Sequence, residues 1–375
     1  MPFKPSFWEQ QSLLSTYDCV IVGAGLTGLH TSLAVRKKYP NFKIAILERG
    51  PFSIGASTRN AGFACFGNCS EILDDLKSMS EDQTYGLMEK RYKGLLKTRA
   101  LLGDTTIDYQ QKGSNELFNT GNRADYELAK DYLPMANQLM REHLGLKDVF
   151  SLSTEKFGFN NGIGAISNAF EGQLHTGKLY ASLRKLVLQN DIEIFGGCDI
   201  SHWGSFGEKV KIVLKNGMEI DTYLMVLATN AFTSQLMPNL DIVPARGQII
   251  VTEKIPNLNL EGIFHYDQGY YYWRDLEGRI LLGGARNKDV VGETQYEFDD
   301  NNKIQDELEN FLYQHILNGQ IEVPIAMKWS GIMAMGKQKD PIVKQISPQV
   351  FLAARLGGMG VALSSVVAED VVGLM

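Results

Sequence analysis

The sequence contains little cysteine, and this scarcity limits the kinds of protein it can encode. Its four cysteines, Cys19, Cys65, Cys69 and Cys198, are too few and too scattered for a disulfide framework in 375 residues. Cys65 and Cys69 are four residues apart, but no nearby cysteine or histidine pair completes a zinc site, so we expect no metal. The cysteine content fits a reducing compartment.

Long apolar runs and an excess of positive charge are missing as well. The segment from Met1 to Thr16 lacks the continuous apolar core of a signal peptide, and no window holds about 18 consecutive apolar residues. We therefore expect a cytoplasmic protein without a membrane span. The 37 Lys and Arg residues against 43 Asp and Glu residues give a net charge of −6, which argues against binding nucleic acid mainly through its phosphates.

Glycine is the residue type that is over-represented. The chain has 37 glycines in 375 residues, about one in ten against a usual frequency near 7%. Charged residues make up 21% and hydrophobic residues 44%, which excludes extensive disorder. The length predicts two or three domains.

The N-terminal part of the chain has the pattern of a strand, a helix and a second strand. Tyr17 to Val22 is a short apolar run, Leu26 to Lys38 has helical spacing, and Lys43 to Glu48 is a second apolar run. Because all of this fits within about 35 residues, it predicts a βαβ unit and a parallel sheet.

A glycine fingerprint lies between the first strand and the helix. Gly23, Gly25 and Gly28 form G-x-G-x-x-G, and Glu48 ends the second strand 20 residues after Gly28. In a dinucleotide site these glycines serve a tight turn, close approach of the backbone to a pyrophosphate, and close packing of helix on strand. The helix N-terminus attracts the phosphates, and we expect Glu48 to accept hydrogen bonds from a ribose.

The remaining pattern alternates helices with short strands. The helices predicted by apolar spacing are Ser70 to Leu102, capped by Ser70 and broken near Ser80, Arg123 to Leu144 ended by Gly145, Lys178 to Asn190, Lys303 to Leu317, and a last helix from about Gly360. The predicted strands are Lys209 to Leu214 and Glu219 to Leu227, joined by an Asn216-Gly217 turn, then Gln248 to Thr252, Tyr270 to Arg274, Arg279 to Gly283 and Val350 to Ala354.

Further motifs accompany the fingerprint, and together they resemble one family. They are Gly55-Ala-Ser-Thr-Arg-Asn60, Gly172-Gln-Leu-His-Thr-Gly-Lys-Leu179, Ala228-Thr-Asn-Ala231, Pro244-Ala-Arg-Gly-Gln248 and Ala353-Ala-Arg-Leu-Gly-Gly-Met-Gly-Val-Ala-Leu-Ser-Ser365. Over nearly its whole length the sequence resembles the D-amino acid oxidase-like family of FAD-dependent oxidoreductases, the group of glycine oxidase, sarcosine oxidase and gamma-glutamylputrescine oxidase.

The resemblance implies an α/β FAD-binding Rossmann-like domain and an α+β substrate domain with a mainly antiparallel sheet. The expected FAD-binding domain is discontinuous and consists of residues 1–102, 171–238 and 335–375. The expected substrate-binding domain consists of residues 103–170 and 239–334.

The resemblance also implies the cofactor and the reaction. The expected reaction is oxidation of an amine or amino acid C–N bond to an imine by hydride transfer to flavin N5, with O2 as the usual acceptor. FAD should be non-covalent, because no cysteine lies near Trp329, where some members attach it. The implied FAD-binding residues are Gly23, Ala24, Gly25, Leu26, Thr27, Gly28, Glu48, Arg49, Gly55, Ala56, Ser57, Thr58, Arg59, Asn60, Ala61, Gly62, Ile200, Ala228, Thr229, Asn230, Gly331, Arg355, Leu356, Gly357, Gly358, Met359, Gly360 and Val361.

Five residues are candidates for catalysis. Thr58 and Arg59 match a Thr-Arg pair at the flavin face of sarcosine oxidase-like members, and Arg59 is the first choice for stabilising negative charge on the reduced flavin. Tyr272 lies in the run Tyr270-Tyr-Tyr-Trp273, one face of which could line an aromatic amine pocket or simply pack against its neighbours. His265 and Lys288 are candidates for proton handling or oxygen activation, and each could equally be structural.

The chain departs from the family where other members bind the substrate carboxylate. Ile332 and Met333 stand where amino acid oxidases have an arginine after the Trp-x-Gly segment, and Ala362 replaces a lysine of sarcosine oxidase-like members. The identity of the substrate therefore stays open. Three alternatives also stay open: a flavin dehydrogenase with another electron acceptor, the flavin module of a tRNA-modifying enzyme, and an NAD-linked dehydrogenase.

Overall fold

The chain folds into two large β-sheets with helices packed around them. This computed structural model describes residues 4–155, 157–319 and 322–375. The strands are β1 (Tyr17–Val22), β2 (Ile44–Leu47), β3 (Phe63–Ala64), β4 (Ser114–Asn119), β5 (Phe150–Ser153), β6 (Gly162–Asn168), β7 (Gly172–Gln173), β8 (Glu193–Phe195), β9 (Ile200–Phe206), β10 (Lys209–Leu214), β11 (Glu219–Leu227), β12 (Val243–Thr252), β13 (Ile263–Tyr266), β14 (Tyr271–Asp275), β15 (Ile280–Gly284), β16 (Ile325–Met335), β17 (Ile342–Ser347) and β18 (Val350–Ala354). The helices are α1 (Phe7–Gln11), α2 (Leu26–Lys38), α3 (Ala56–Arg59), α4 (Cys69–Asp75), α5 (Glu81–Leu102), α6 (Asp104–Ile107), α7 (Arg123–Leu144), α8 (Thr176–Gln189), α9 (Thr233–Leu236), α10 (Asn302–Phe311) and α11 (Gly360–Gly373).

The first sheet contains the predicted βαβ unit. Its strands follow the order β17-β18-β11-β1-β2-β8, in which β18, β11, β1, β2 and β8 are parallel and β17 is antiparallel. The β9–β10 hairpin extends from β11. Side chains of β1 alternate between two apolar clusters: Cys19 and Ile21 pack with the helices, and Val20 and Val22 pack on the other face. Burial on both faces explains why these strands are continuous apolar runs.

The second sheet also has eight strands and is mostly antiparallel. Its order is β16-β12-β15-β14-β13-β4-β6-β5, and only the β13–β4 pair is parallel among its described pairings. One face packs Tyr271 and Trp273 against α10 through Leu308 and Phe311. The opposite face carries Tyr272 and turns toward the first sheet.

These two sheets confirm the predicted fold class of an α/β unit with an α+β unit on a mainly antiparallel sheet. Strands of the first sheet come from residues 17–47, 193–227 and 342–354, and those of the second from residues 114–168 and 243–335. The exact domain boundaries stay a prediction. No helix in the described ranges has both the length and the apolar character that crossing a membrane requires.

Two helices differ from their prediction at the ends. Asn68, and not Ser70, caps α4, because its side chain accepts the N–H of Glu71 at 2.8 Å while Ser70 donates to Glu116. The helix expected to run from Lys303 to Leu317 is α-helical only to Phe311 and continues as a π-helical turn from Leu312 to Ile316. The predicted break near Ser80 is confirmed, since Ser80 caps α5 with Gln83 in a reciprocal pair of hydrogen bonds.

Candidate functional site

A cavity of about 850 Å³ is lined by residues of both the first and the second sheet. It is lined by the carboxyl ends of β1, β2 and β11, by the loop before and within α3, by β12 and β16, and by the start of α11. Ligands of open α/β sheets bind at the carboxyl ends of the strands. The cavity thus runs from a dinucleotide-type turn to the face that carries Tyr272.

The turn between β1 and α2 is built by close backbone approaches. Gly23 has φ of 103°, which disfavours any side chain, and a methyl group there would lie 2.8 Å from the carbonyl oxygen of Ala228. A methyl group at Gly28 would lie only 1.8 Å from the carbonyl oxygen of Gly23. Helix α2 can therefore start directly at the end of β1 only because both positions are glycine.

Glu48 fixes this turn from the end of β2. One carboxylate oxygen accepts the N–H of Ala24 at 2.8 Å, and the other accepts the N–H of Gly50 at 3.0 Å. Glu48 is 9% exposed and lines the cavity. A carboxylate offers about four lone-pair sites, so Glu48 keeps capacity for the two hydroxyl groups of a ribose.

The start of α2 fits a pyrophosphate. The N–H groups of Gly25 and Thr27 meet no acceptor within the described ranges, and both residues line the cavity. Unpaired N–H groups and the positive end of a 13-residue helix attract phosphate. The side chain of Ser57 accepts the N–H of Leu26 at 2.8 Å and joins the α3 loop to this turn. These residues fit the diphosphate half of FAD.

The α3 loop holds Arg59 in a fixed position. Its guanidinium donates to the carbonyl oxygen of Ser330 at 2.8 Å and lies 4.7 Å from the ring centroid of Phe298. The indole N–H of Trp329 donates to the carbonyl oxygen of Arg59 at 2.9 Å. Arg59 thus lines the cavity between α3 and β16, with part of its hydrogen-bonding capacity already used.

Thr58, the other residue of that pair, is turned away from the cavity. Its hydroxyl donates to the carbonyl oxygen of Ser53 at 2.9 Å, and Thr58 is not among the lining residues. A local hydrogen bond of this kind stabilises the turn before α3. The geometry therefore gives Thr58 a place in the loop's structure rather than at the reacting atoms.

The C-terminal glycines lie at the other end of the cavity. Arg355 has φ of 62° and its guanidinium binds the Asp241 carboxylate at 2.6 Å and the carbonyl oxygen of Asp340 at 2.8 Å. Gly357 follows in a left-handed conformation with φ of 58°, and α11 begins at Gly360. The side chain of Arg355 thus braces this turn, while the backbone from Leu356 to Val361 lines the cavity.

Glycines of the second sheet make room for neighbouring side chains. Tyr272 pairs with Gly283, and Gly247 pairs with Gly331. A methyl group at Gly283 would come within 2.5 Å of the Tyr272 ring, which lies across that strand. A methyl group at Gly331 would lie 3.2 Å from Cβ of Arg59. These glycines therefore allow Tyr272 and Arg59 to lie close against the sheet.

An aromatic wall stands beside these glycines. The ring of Phe63 packs edge-on against Tyr272, with centroids 5.5 Å apart, and against His265, with centroids 5.4 Å apart. His265 pairs with Tyr272 across β13 and β14. Tyr271 and Trp273 point to the opposite face, where Tyr271 stacks on Phe311.

Burial sets the charge of both polar groups in that wall. It lowers the pKa of His265 to about 4 and raises the pKa of the Tyr272 hydroxyl to about 12. Near neutral pH His265 is therefore an uncharged imidazole and Tyr272 an un-ionised phenol. The Nε2 atom of His265 is buried and has no hydrogen-bond partner within the described residues.

Charged residues gather at the polar end of the cavity. Arg91 binds Glu71 at 3.1 Å, and Lys339 contacts Glu71 at 3.8 Å and also pairs with Asp75. Burial alone would raise the pKa of Glu71, but Arg91 and Lys339 together hold it below the usual value. Glu171 accepts the N–H groups of Phe66 and Gly67 at 2.6 and 3.0 Å, and burial raises its pKa to about 7.

The structure brings most of the predicted site residues to one cavity. Among them Arg59, Tyr272 and His265 line it, as do Arg49, Ile200 and Gly331. The predicted residues that do not line it are Ala24, Gly28, Thr58, Gly62 and Lys288. Ala24 and Gly28 still shape the turn. Lys288 is exposed, in a short 3₁₀ turn after β15.

Sequence reasoning missed several charged and aromatic residues that line the cavity. They are Phe63, Glu71, Arg91, Glu171, Arg286 and Lys339. None of them belongs to a local motif, because they come from loops, helices and a short strand that are far apart in the chain. Arg286 lies only two residues from the predicted Lys288, yet it is Arg286 that reaches the cavity.

Comparison with known proteins gives one family. The family model described as DAO, FAD dependent oxidoreductase, matches residues 18–374. The chain is 24% identical over 396 residues to the probable oxidoreductase OrdL of Haemophilus influenzae, covering 95% of this chain and 83% of that protein.

Solved structures share the fold at low sequence identity. Glycine oxidase from Geobacillus kaustophilus is 18% identical, with a TM-score of 0.76 over 96% of this chain and 94% of the other. L-proline dehydrogenase from P. horikoshii is 13% identical, with a TM-score of 0.75 over 96% and 93%. At such identities the likeness establishes the fold alone.

Proposed function

The chain belongs to the DAO family of FAD dependent oxidoreductases, and we propose that it oxidises the C–N bond of an amine or amino acid to an imine, with O2 as the electron acceptor. The family assignment confirms the FAD cofactor and the oxidoreductase class that the sequence predicted. The cavity residues support a more specific statement about what each part of the site does.

One observation supports the proposal above the others: one cavity extends from the glycine turn at Gly23 to Gly247, Tyr272 and Gly331 on the second sheet. Its ends match the two ends of FAD. The turn and Glu48 suit the diphosphate and the adenosine ribose. We propose that the flavin ring occupies the other end, beside the second sheet.

FAD supplies the redox chemistry when it is bound, because it accepts a hydride from the carbon that carries the substrate nitrogen, leaving an imine that water hydrolyses. The chain itself must bind and orient the amine. Phe63, Tyr272 and His265 form a wall that excludes water and presents aromatic faces, which attract a cationic amine before it loses its proton.

The uncharged state of His265 is part of this arrangement. A histidine whose pKa lies near 4 carries no positive charge at neutral pH and so does not repel an approaching ammonium group. Tyr272 keeps its proton and can donate one hydrogen bond. An imidazole whose pKa lies near 4 is a weak base, and an un-ionised phenol is weaker still, so these residues are proposed to position the amine.

A helix N-terminus and an arginine supply positive charge to the cavity. Helix α11 has 14 residues, and its N-terminus at Gly360 lines the cavity. A helix N-terminus stabilises negative charge, and Arg59 adds a full positive charge on the α3 side. We propose that both stabilise the electron-rich reduced cofactor.

The test is anaerobic mixing of the purified FAD-containing protein with a panel of polyamines, N-methyl amino acids and D-amino acids. The expected result is bleaching of the visible flavin band by at least one amine, and formation of hydrogen peroxide when air is admitted. The 2-hydroxy acids that correspond to the amino acids of the panel should leave the visible flavin band unchanged.

Two variants test whether a residue that lines the cavity affects the rate of bleaching more than a residue outside it. Tyr272→Ala removes one side of the aromatic wall and should slow bleaching by about 10-fold or more, whereas Lys288→Ala, outside the cavity, should leave the rate unchanged. Bleaching by hydroxy acids but by no amine would contradict the proposed bond. Bleaching by an amine with reoxidation only by an added dye would contradict O2 as the acceptor.

A further inference from the structure

We propose that Phe298, which does not line the cavity, is a positioning residue for Arg59. Its ring holds the Arg59 guanidinium by a cation–π contact and so fixes a positive charge on the part of the cavity wall where the flavin ring is proposed to lie. The inference deepens the proposed function and rests on the role given there to Arg59.

Arg59 carries its charge without an acidic partner. Its guanidinium donates to the carbonyl oxygen of Ser330 at 2.8 Å and lies 4.7 Å from the ring centroid of Phe298. Across the described ranges its side chain makes no ion pair, whereas Arg91 and Arg355, which also line the cavity, each bind a carboxylate. A carbonyl group and an aromatic ring hold an arginine without cancelling its charge. The charge of Arg59 therefore remains available to the cofactor.

One hydrogen bond alone would hold this side chain poorly. Arginine is long and flexible, so fixing its charged end costs conformational entropy. The first part of the side chain is confined by close packing on β16, because a methyl group at Gly331 would lie 3.2 Å from Cβ of Arg59. The Phe298 ring supplies the second contact that the guanidinium needs to keep one position.

Phe298 is tied to the strand that also holds Arg59. Its carbonyl oxygen accepts the hydroxyl of Ser330 at 2.8 Å, while the carbonyl oxygen of Ser330 accepts from Arg59. The Phe298 ring is half-buried, and its centroid lies 6.4 Å from that of Phe232, whose ring in turn lies 4.0 Å from the guanidinium of Arg49. Two arginines of the cavity wall are therefore held by one pair of neighbouring aromatic rings.

A buried arginine anchors the segment that carries Phe298. Arg246 of β12 is 2% exposed and makes two hydrogen bonds with the carboxylate of Glu293, at 3.0 and 2.9 Å. The same guanidinium pairs with Asp299, the residue after Phe298. Both ends of the segment 293–299 are thus fixed to the second sheet, so the Phe298 ring has a defined place from which to hold Arg59.

The first measurement is the affinity for sulfite, which requires no turnover. The sulfur lone pair of sulfite forms a bond to N5 of the oxidised flavin and leaves negative charge on the ring, so the visible band bleaches and nearby positive charge favours the adduct. Phe298→Leu keeps an apolar side chain but removes the aromatic ring, and should raise Kd for sulfite about 3- to 10-fold. Phe298→Tyr keeps the ring and should leave Kd unchanged.

A double-mutant cycle tests whether Phe298 acts through Arg59. Arg59→Met removes the charge and should raise Kd for sulfite about 10-fold or more. In that background Phe298→Leu should cause no further change, because no guanidinium is left for the ring to hold. Phe206→Leu replaces an exposed phenylalanine of β9 outside the cavity, and as the matched control it should leave Kd unchanged in both backgrounds.

The second measurement is the midpoint potential of the bound FAD, determined anaerobically against a reference dye. Because the reduced cofactor is electron-rich, a less well fixed positive charge should make its reduction less favourable. Phe298→Leu and Arg59→Met should both shift the potential to more negative values, and Phe298→Tyr should not. This measurement decides the question if the wild-type protein binds no sulfite. Equal FAD content and Tm show that the variants are folded.

The outcomes separate this inference from the proposed function. Unchanged sulfite affinity and unchanged potential in Phe298→Leu overturn the role of Phe298, and so does an equal effect of Phe298→Leu with and without Arg59. Phe298→Met is used if Phe298→Leu does not retain FAD, and loss of FAD from both would show a purely structural role and overturn the inference. If no amine bleaches the flavin, the proposed function fails, while sulfite affinity and potential still judge Phe298.

Discussion

Glu171 illustrates how a single residue acquires its properties from distant parts of the chain. Its side chain is fully buried, and one oxygen accepts two backbone N–H groups from the segment after β3. Desolvation disfavours the charged form and raises the pKa from the ordinary 4.5 to about 7. At neutral pH the carboxyl is thus close to half protonated.

This raised pKa predicts a pH-dependent stability. In the unfolded chain Glu171 ionises near pH 4.5, whereas in the folded protein it ionises near pH 7. Its favourable contribution is therefore complete below pH 4.5 and is lost as the pH rises through 7. Glu171→Gln removes this titration while its amide oxygen can still accept the same N–H groups. From pH 5 to pH 8, wild-type protein should lose on the order of 2 kcal/mol more unfolding free energy than the variant.

Urea unfolding at the two pH values measures this difference. Glu116 also has a pKa raised to about 7 by burial, but it titrates in both proteins, so the comparison isolates Glu171. Glu208→Gln, an exposed position in the β9–β10 turn, controls for the loss of one carboxyl group. Parallel pH profiles for wild type and Glu171→Gln would show that the buried carboxyl keeps its ordinary pKa.

At the residue scale, the sequence predicted residues whose geometry depends on neighbouring positions and missed residues whose surroundings come from distant segments. Gly23, Gly28 and Glu48 were predictable because one turn and one neighbouring strand determine their geometry. Glu171 and Arg286 were not, because their environments depend on contacts with segments that are distant in sequence. Lys288 illustrates the same limit: a 3₁₀ turn of three residues decides whether a cation reaches the cavity or solvent.

At the scale of elements, the contact between α5 and α11 shows how a long helix positions the part of the cavity that the start of α11 lines. The carbonyl oxygen of Gly94 accepts the hydroxyl of Ser365 at 2.8 Å, and a methyl group at Gly94 would lie 1.9 Å from the carbonyl oxygen of Ala362. The two helices can therefore approach this closely only with glycine at position 94.

Gly94→Ala should separate the helices. The backbone carbonyl of Ala362 cannot move aside as a flexible side chain can. We therefore expect a loss of about 2–3 kcal/mol in unfolding free energy. FAD should also bind more weakly, since α11 starts at Gly360 in the cavity. The measurements are Tm and FAD affinity by flavin fluorescence.

The same helix offers a matched control. A methyl group at Gly86 meets nothing within 4 Å, so Gly86→Ala should stabilise α5 by about 0.5–1 kcal/mol through helix propensity alone. If Gly94→Ala raised Tm as Gly86→Ala is expected to, the close contact with α11 would not constrain the fold.

A helix was predicted correctly where the residues at its ends give a clear capping signal. Helix α7 runs from Arg123 to Leu144 and ends at a left-handed Gly145, as its sequence indicates. The cap of α4 was wrong by two residues because Asn68 and Ser70 are both good capping residues, and the buried Glu116 binds the side chain of Ser70. The π-helical turn after Phe311 has no sequence signal that apolar spacing could reveal.

For the whole molecule, the cavity unites segments that are separated along the chain. The turn at Gly23, the loop at Arg59, strand β12 and the glycines near Gly358 all line it. The family motifs made this assembly predictable, since the resemblance implies that they contact one extended cofactor. The substrate end has no such motif, and its residues became visible only in the folded structure.

A ligand that joins these segments should stabilise the whole fold. FAD binds the folded state and not the unfolded chain, so free FAD at about 100 times its dissociation constant should add about 2.7 kcal/mol to the unfolding free energy. Removing the cofactor should therefore lower Tm by several degrees and expose the loop around Arg59 to proteolysis, and adding FAD should reverse both effects. NAD⁺ at the same concentration is the control and tests the NAD-linked alternative, because it shares the adenosine diphosphate but lacks the flavin proposed to lie beside the second sheet. Stabilisation by NAD⁺ equal to that by FAD would mean that only the turn at Gly23 and Glu48 contributes, and would contradict a cofactor that spans both sheets.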